Sequence, residues 1–142
     1  MAAPSSDCIF CAIVSAEAAS ARVYEDDVCV AFLDTRPVFK GHTLLIPRAH
    51  VAAFADASPA LVQHLALVVQ LLSAAVESGL DAQGTFIAMN NKISQSVPHL
   101  HWHIVPRRKG DGLRGFFWPR TKYRSDEEMA DYAARLRDAI AR

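Results

Sequence analysis

The chain has 142 residues, enough for one domain with a sizeable core, and its 15 basic and 15 acidic residues cancel to a formal net charge of zero. No global basic field is available to hold nucleic acid nonspecifically, so no nucleic-acid partner is expected. The N-terminal MAAPSSD has neither a charged leader region nor a long apolar run, and the richest apolar stretch, Leu61–Val76, is broken by Gln63, His64, Gln70 and Ser73; no signal peptide and no membrane span are expected, and the protein is read as cytoplasmic.

In chain order, residues 1–6 are expected to be disordered. Asp7 is placed to cap a short helix over Cys8–Val14, in which Ile9, Phe10 and Ile13 form an apolar cluster. Cys8 and Cys11 form a CxxC pair, which in a reducing compartment points to metal binding or redox chemistry before a structural disulfide. Arg22–Glu25 reads as a first strand, Asp26-Asp27 as a turn, and Val28–Leu33 as a buried strand in which Cys29 is a small hydrophobe. Asp34–Pro37 breaks that strand, and His42–Ile46, closed by Pro47, is the next, in a hairpin or meander.

Ser58 suits the N-cap and Pro59 the first position of a long helix. Leu61, Leu65, Val68, Leu72 and Val76 keep helical spacing, and Gly79 is the expected stop. Val62, Val69 and Leu71 widen the apolar arc, which implies a second face buried against a subunit or an extra element, while His64 falls with Gln63 on the polar side and is read as structural. Thr85–Met89 is a further strand and Asn90–Lys92 a loop. After the next strand, Gly110, Asp111, Gly112 and Gly115 mark a mobile segment over 109–124, with a basic run from Arg107 to Arg124 that is either solvated surface or a lure for anionic substrates. Ser125 and Glu128 form a capping-box pattern ahead of a C-terminal helix over 125–142, with Met129, Tyr132, Leu136 and Ile140 on one face. Short links between strands favour an α+β fold: a five-stranded antiparallel sheet with helices packed on one face, in a single domain over 1–142.

The stretch Ser94–Arg107, SQSVPHLHWHIVPR, alternates His99, His101 and His103 with Leu100, Trp102 and Ile104. Period two reads as a strand with the imidazoles on one face and the apolar residues on the other. His99 and His103 then lie about 13 Å apart along the strand, too far for three rings to hold one ion, so the histidines must divide the work. Neutral imidazole is a competent nucleophile toward phosphorus, and the middle ring, His101, could be oriented by a backbone carbonyl through one nitrogen and attack with the other.

This pattern, preceded by Gln95-Ser96-Val97 and followed by Pro106-Arg107, resembles the signature of the histidine-triad (HIT) superfamily of nucleotidyl hydrolases and transferases. The similarity extends through Cys8–Cys11, Tyr24–Asp26, Ala31–Asp34 and Gly41–Pro47. It implies that His101 attacks an α-phosphate to form a nucleotidyl-histidine, and that His103 contacts the phosphate and helps the leaving group depart. Ser96 would hold phosphate oxygens and His42 would be a supporting fourth histidine. It further implies that Asp34 binds the ribose, that Ile9, Phe10, Phe32 and Leu44 sandwich the base, and that Asn90 and Gln95 reach the phosphate or ribose. A structural zinc would be held by Cys8, Cys11, His50 and His99, with His42 competing for the histidine position; no metal is required at the phosphate. A homodimer is implied, its sheet continuing across the interface and Trp118 lining the partner's site. The loop Asn91–Ser94 departs from the family in lacking its Gly-rich linker. The expected activity is hydrolysis of AMP or GMP phosphoramidates or dinucleoside polyphosphates. The alternatives are a dinucleoside polyphosphate phosphorylase or transferase, a nucleotide-binding regulatory module with little turnover, and a hydrolase using the histidines as metal ligands.

Overall fold

The structure, a computed structural model, describes residues 7–113 and 120–141. Its first unit, residues 1–111, is built on five antiparallel strands in the order β1-β2-β3-β5-β4: β1 Arg22–Glu25, β2 Cys29–Leu33, β3 Thr43–Pro47, β4 Gly84–Ala88 and β5 Trp102–Arg107. The second unit, residues 112–142, contains helix α3, Asp126–Ile140. Its N-cap Ser125 accepts the Glu128 N–H, as the capping pattern predicts, and Glu128 in turn accepts the Arg124 N–H. Residues 1–6 and the aromatic run at 116–118, Trp118 included, lie outside the described residues.

β2 and β3 show no polar alternation because both faces of the sheet are covered. Cys29, Ala31, Leu45 and Ile104 pack under the long helix α2, Pro59–Leu80, with Leu65, Val68, Val69, Leu72 and Val76. Val30, Phe32, Leu44 and Ile46 point the other way, onto Phe10, Cys11 and Ile13 of the short helix α1, Ile9–Val14. The expected α+β sheet is present. The single covered face holds for α2 alone, since α1 lies over the opposite side, where the histidines emerge.

Helix ends differ from expectation in two places. Cys8, rather than Asp7, caps α1, its Sγ accepting the Cys11 N–H. α2 runs through Gly79 and stops at Asp81, which takes the left-handed conformation (φ 54°) that short polar side chains tolerate. Helix α2 is also, by length and composition, apolar enough to cross a membrane, contrary to the expectation from its interrupting polar residues. One stripe is spent on the sheet, while Leu67 and Leu71 remain 67% and 52% exposed. His64 is not idle on the polar side: its Nε2 lies 2.7 Å from Asp26 Oδ2.

β5 starts three residues later than the histidine pattern implies. Ahead of Trp102 the backbone leaves the ladder: the His99 N–H donates to the Val97 carbonyl and the Leu100 N–H to the Val51 carbonyl. The side-chain alternation nevertheless persists. The preceding loop takes left-handed backbone at Lys92 (φ 68°) and Ser94 (φ 60°), a conformation that glycine adopts without strain. After β5, Asp111 is tied back to the Arg107 guanidinium at 2.6 Å.

Gly41, ahead of β3, has φ +99°, and a Cβ there would stand 2.3 Å from Leu80 Cδ1. Leu80 is a half-exposed flexible side chain and can move aside, so the backbone conformation sets the cost. Gly41→Ala is expected to lower stability by about 1–2 kcal/mol in urea unfolding. A loss above about 4 kcal/mol would mean that Leu80 is locked.

Candidate active site

The face over α1 opens into a cleft of about 760 Å³, within the size range of small-molecule sites. Its lining includes Ile9, Phe10, Phe32, Leu44, Asp34, Ser96, His101 and His103, eight of the residues singled out from the sequence. Phe10 packs edge-on against Phe32 at 5.6 Å and against the His101 ring at 5.0 Å, so the apolar wall meets the histidines directly.

The hydrogen-bond partners assign the ring tautomers. His101 Nδ1 lies 2.8 Å from the His99 carbonyl oxygen, which can only accept. The proton is therefore on Nδ1, and Nε2 carries the lone pair. The ring is only 3% exposed, yet it forms part of the cleft wall. His42 Nδ1 accepts the Val38 N–H (3.1 Å), so its proton is on Nε2, which donates to His103 Nδ1 (2.9 Å). His103 must then carry its proton on Nε2. One cleft histidine thus presents a lone pair and its neighbour a donor, with ring centroids 5.1 Å apart. The 3.8 Å approach of Asp34 Oδ2 to His42 Nδ1 is not an ion pair, because that nitrogen already accepts a backbone N–H.

Burial keeps His42 and His103 neutral. It pushes His103 down to about 4, with His101 and His42 adding to the effect and Asp34 opposing it; His42 is also lowered by burial against Asp34. Between the ordinary value of 6.5 and about 4 the unfolded chain binds a proton at His103 that the folded chain does not. Stability is therefore complete above pH 6.5 and falls as pH drops toward 4. Urea midpoints measured across that window should decline, with a shallower slope in His103→Gln; a midpoint that rises on acidification would contradict the assignment.

Not every residue expected at the site reaches it. Asn90 and Gln95 do not line the cleft. Gln95 is spent on its own loop, accepting the Lys92 N–H and donating to the Ala52 carbonyl, and it is Asn91 that accepts the Phe54 N–H. His42 stands behind His103. Asp34 accepts the Arg36 N–H through Oδ1 at 2.9 Å. Ile13, Ser20, Thr35, Arg36 and Val97 line the cleft without having been singled out. Ile13 was legible one helical turn from Ile9 and Phe10; Ser20 carried no signal.

Beneath the cleft, Cys8, Cys11, His50 and His99 bring one ligand atom each within 4.8 Å of one another. Cys8 Sγ and Cys11 Sγ lie 3.4 and 3.6 Å from His99 Nδ1, and Cys11 Sγ lies 3.2 Å from His50 Nδ1. Zn–S and Zn–N bonds of about 2.3 and 2.0–2.1 Å at tetrahedral angles separate S from N by about 3.6 Å, so the group is nearly at coordination distance. His99 Nε2 donates to the Pro47 carbonyl (2.8 Å), which leaves the Nδ1 lone pair aimed at the sulfurs. Burial pushes His99 down to about 4, His50 and His101 adding, against the hydrogen bond to Pro47; the ring is neutral, as a metal ligand must be. The residues present fit a closed four-coordinate ion, and His42, engaged elsewhere, is not among them.

The HIT domain family model matches residues 15–110, a span that begins after the cysteine pair. The protein named adenylylsulfatase HINT3 of Arabidopsis thaliana is 35% identical over 109 residues, 75% of this chain and 55% of that protein. A zinc-bound histidine triad family protein from Mycobacterium smegmatis has a crystal structure that is 40% identical, with a TM-score of 0.73 over 96% of this chain and 98% of that one. A histidine triad nucleotide-binding protein from Candida albicans superposes with a TM-score of 0.82 at 25% identity, over 95% of this chain and 98% of that one. With the domain match covering most of the chain and the histidines arranged around one cleft, this protein belongs to the HIT family of nucleotide-binding hydrolases and transferases.

Proposed function

We propose that the protein hydrolyses nucleoside monophosphate derivatives, phosphoramidates of AMP or GMP first among them, through a covalent nucleotidyl-His101 intermediate. The observation that carries this reading is the His101 Nδ1 bond to the His99 carbonyl, which leaves a lone pair on Nε2 at the cleft wall. Phe10, Phe32, Ile9 and Leu44 take the base, and the Asp34 oxygens accept from the ribose hydroxyls. His101 Nε2 attacks phosphorus as the bond to the leaving group breaks, and the leaving atom takes the His103 Nε2 proton. Water then cleaves the P–N bond, giving its proton back to His103 and returning the electron pair to His101. Ser96 contributes a hydroxyl donor to the phosphate oxygens. Cys8, Cys11, His50 and His99 would hold a structural zinc, which would supply a fixed seat for the carbonyl behind His101; the zinc-bound mycobacterial relative supports the same ion here. Intact mass spectrometry after rapid quenching with a nucleoside phosphoramidate should show a nucleotidyl adduct that maps to His101. An adduct on another residue, or turnover with none, would count against the mechanism.

We also infer a homodimer. β4 is one of the sheet's two edge strands and contacts α2; Ile87 of β4 and Leu67 and Leu71 of α2 are exposed. Light scattering should give a dimer that Leu67→Lys combined with Ile87→Lys converts to monomer; a wild-type monomer at tens of micromolar would remove the proposal.

A further inference from the structure

On the other side of the sheet, under α2, three chemically different donors converge without taking part in the nucleotide cleft. Asp26, in the β1–β2 turn, accepts the Val28 and Cys29 N–H groups through Oδ1, both at 2.8 Å. Its Oδ2 accepts from Tyr24 Oη at 2.9 Å and from His64 Nε2 at 2.7 Å. Cys29 Sγ stands 3.4 Å from Asp26 Oδ1. The carboxylate oxygen, the imidazole nitrogen and the thiol sulfur all lie within 4.8 Å of one another.

We propose that Asp26, Cys29 and His64 form a second metal site, for a thiophilic divalent cation of the zinc class, with three protein ligands and one position left open. Such an open three-ligand set is the arrangement of zinc sites that bind an exchangeable water or ligand. It shares no residue with the Cys8, Cys11, His50 and His99 group. His64 and Val28 line a separate cleft of about 740 Å³, walled also by Val51, Leu61 and Asp56, toward which the open position would face.

The distances are close to those an ion requires. Oxygen and sulfur ligands on one tetrahedral zinc stand about 3.5 Å apart, and oxygen and nitrogen about 3.3 Å. The Cys29 sulfur stands 3.4 Å from Oδ1 and the His64 nitrogen 2.7 Å from Oδ2, so on the Oδ2 side the ring must draw back by about 0.6 Å to reach ligand spacing, while the three ligand atoms already lie within 4.8 Å of one another. His64 is 39% exposed on the helix surface and can do so without moving the core. The ion takes the place between ring and carboxylate. The Cys29 thiol proton leaves to solvent, and the His64 ring proton moves to Nδ1.

The surroundings select the metal. Burial, with Asp26 beside it, holds the Cys29 thiol up at about 12, so a hard cation such as magnesium or calcium has no means of drawing the sulfur in. Arg48, the nearby cation, donates to the Asp26 carbonyl oxygen and pairs its guanidinium with Glu25, which offsets its charge. Tyr24 keeps its bond to the carboxylate and fixes the oxygen that the metal would meet.

Cobalt(II) is the probe, because thiolate ligation gives it a sulfur-to-metal charge-transfer band. The chain with its first site filled by zinc should bind a further equivalent of cobalt with that band. His64→Ala should lose the equivalent, and Cys29→Ala should lose it together with the band. The Cys8→Ser/Cys11→Ser chain, if folded by circular dichroism, should bind cobalt at this site alone. The zinc-filled wild type and the surface variant His64→Ala decide the matter even if that double variant does not fold. No further equivalent in the zinc-filled chain, or one that survives both His64→Ala and Cys29→Ala, overturns the proposal. Neither result touches the nucleotide chemistry, which lies on the opposite face.

Discussion

His101→Asn should lower turnover of an adenosine phosphoramidate by roughly four orders of magnitude or more, the scale on which removing a covalent nucleophile acts. AMP affinity in the same variant should stay within about threefold, under 1 kcal/mol. The asymmetry follows from the division of the cleft. In the proposed mechanism the base and ribose are met by Phe10, Phe32, Leu44 and Asp34, which line the cleft beside the His101 ring, whereas the attacking atom belongs to that ring alone. Asparagine can keep the donor to the His99 carbonyl but offers no nucleophilic lone pair. His103→Gln tests the second role. Its donor serves the leaving group, so the loss should be about 10²–10⁴-fold for an amine and small for a phenolate, which departs without a proton. His42→Asn should resemble a milder His103 defect with the same leaving-group dependence, because His42 acts only by holding the His103 tautomer. If His101→Asn turns over the amidate at the wild-type rate, the covalent mechanism is wrong. If His103→Gln slows both leaving groups equally, its part is electrostatic, not proton donation.

The parts of this site that were legible in the sequence are those set by local periodicity. Alternation placed His101 and His103 on one side of a strand even though the hydrogen-bonded ladder begins only at Trp102. The CxxC spacing pointed to a metal, and the family resemblance added His50 and His99, with His42 competing; the structure brings Cys8, Cys11, His50 and His99 within 4.8 Å of one another. What could not be read depends on backbone groups far apart in the chain. The tautomer of His103 is set by His42, 61 residues away, and that of His42 by the Val38 amide, which no residue identity reveals. Gln95 looked like a ligand because its side chain can bond to phosphate; it bonds to a carbonyl instead, since the loop it closes must satisfy its own backbone. His64 looked idle because its partner, Asp26, comes from a turn 38 residues earlier. The helices were expected on one face of the sheet, and nothing in the apolar runs of β2 and β3 said that so short a helix as α1 would cover the other.

Removing metal should cost the fold more than any single surface change. A chelator is expected to lower the melting temperature by roughly 10–20 °C. A structural ion present at a thousandfold excess over its dissociation constant contributes about 4 kcal/mol, and each kcal/mol moves a domain of this size by about 3–5 °C. The loss should be large because the four ligands come from three separate segments: Cys8 and Cys11 at the start of α1, His50 after β3, and His99 ahead of β5. Without the ion the cysteine sulfurs face the histidine rings across weak sulfur–nitrogen contacts of 3.2–3.6 Å. Cys11→Ala should reproduce the drop, lose one zinc by native mass spectrometry, and show a smaller further response to chelator. This separates the four-ligand site from any ion held elsewhere. The same variant should weaken AMP binding, because Ile9 and Phe10, proposed to take the base, lie between the two cysteines, and the His99 carbonyl orients His101. By linkage, saturating AMP should then tighten zinc binding to the wild-type chain. Unchanged melting after chelation, with no zinc recovered from the purified protein, would show that α1 is held by its apolar contacts with Val30, Phe32 and Ile46 alone.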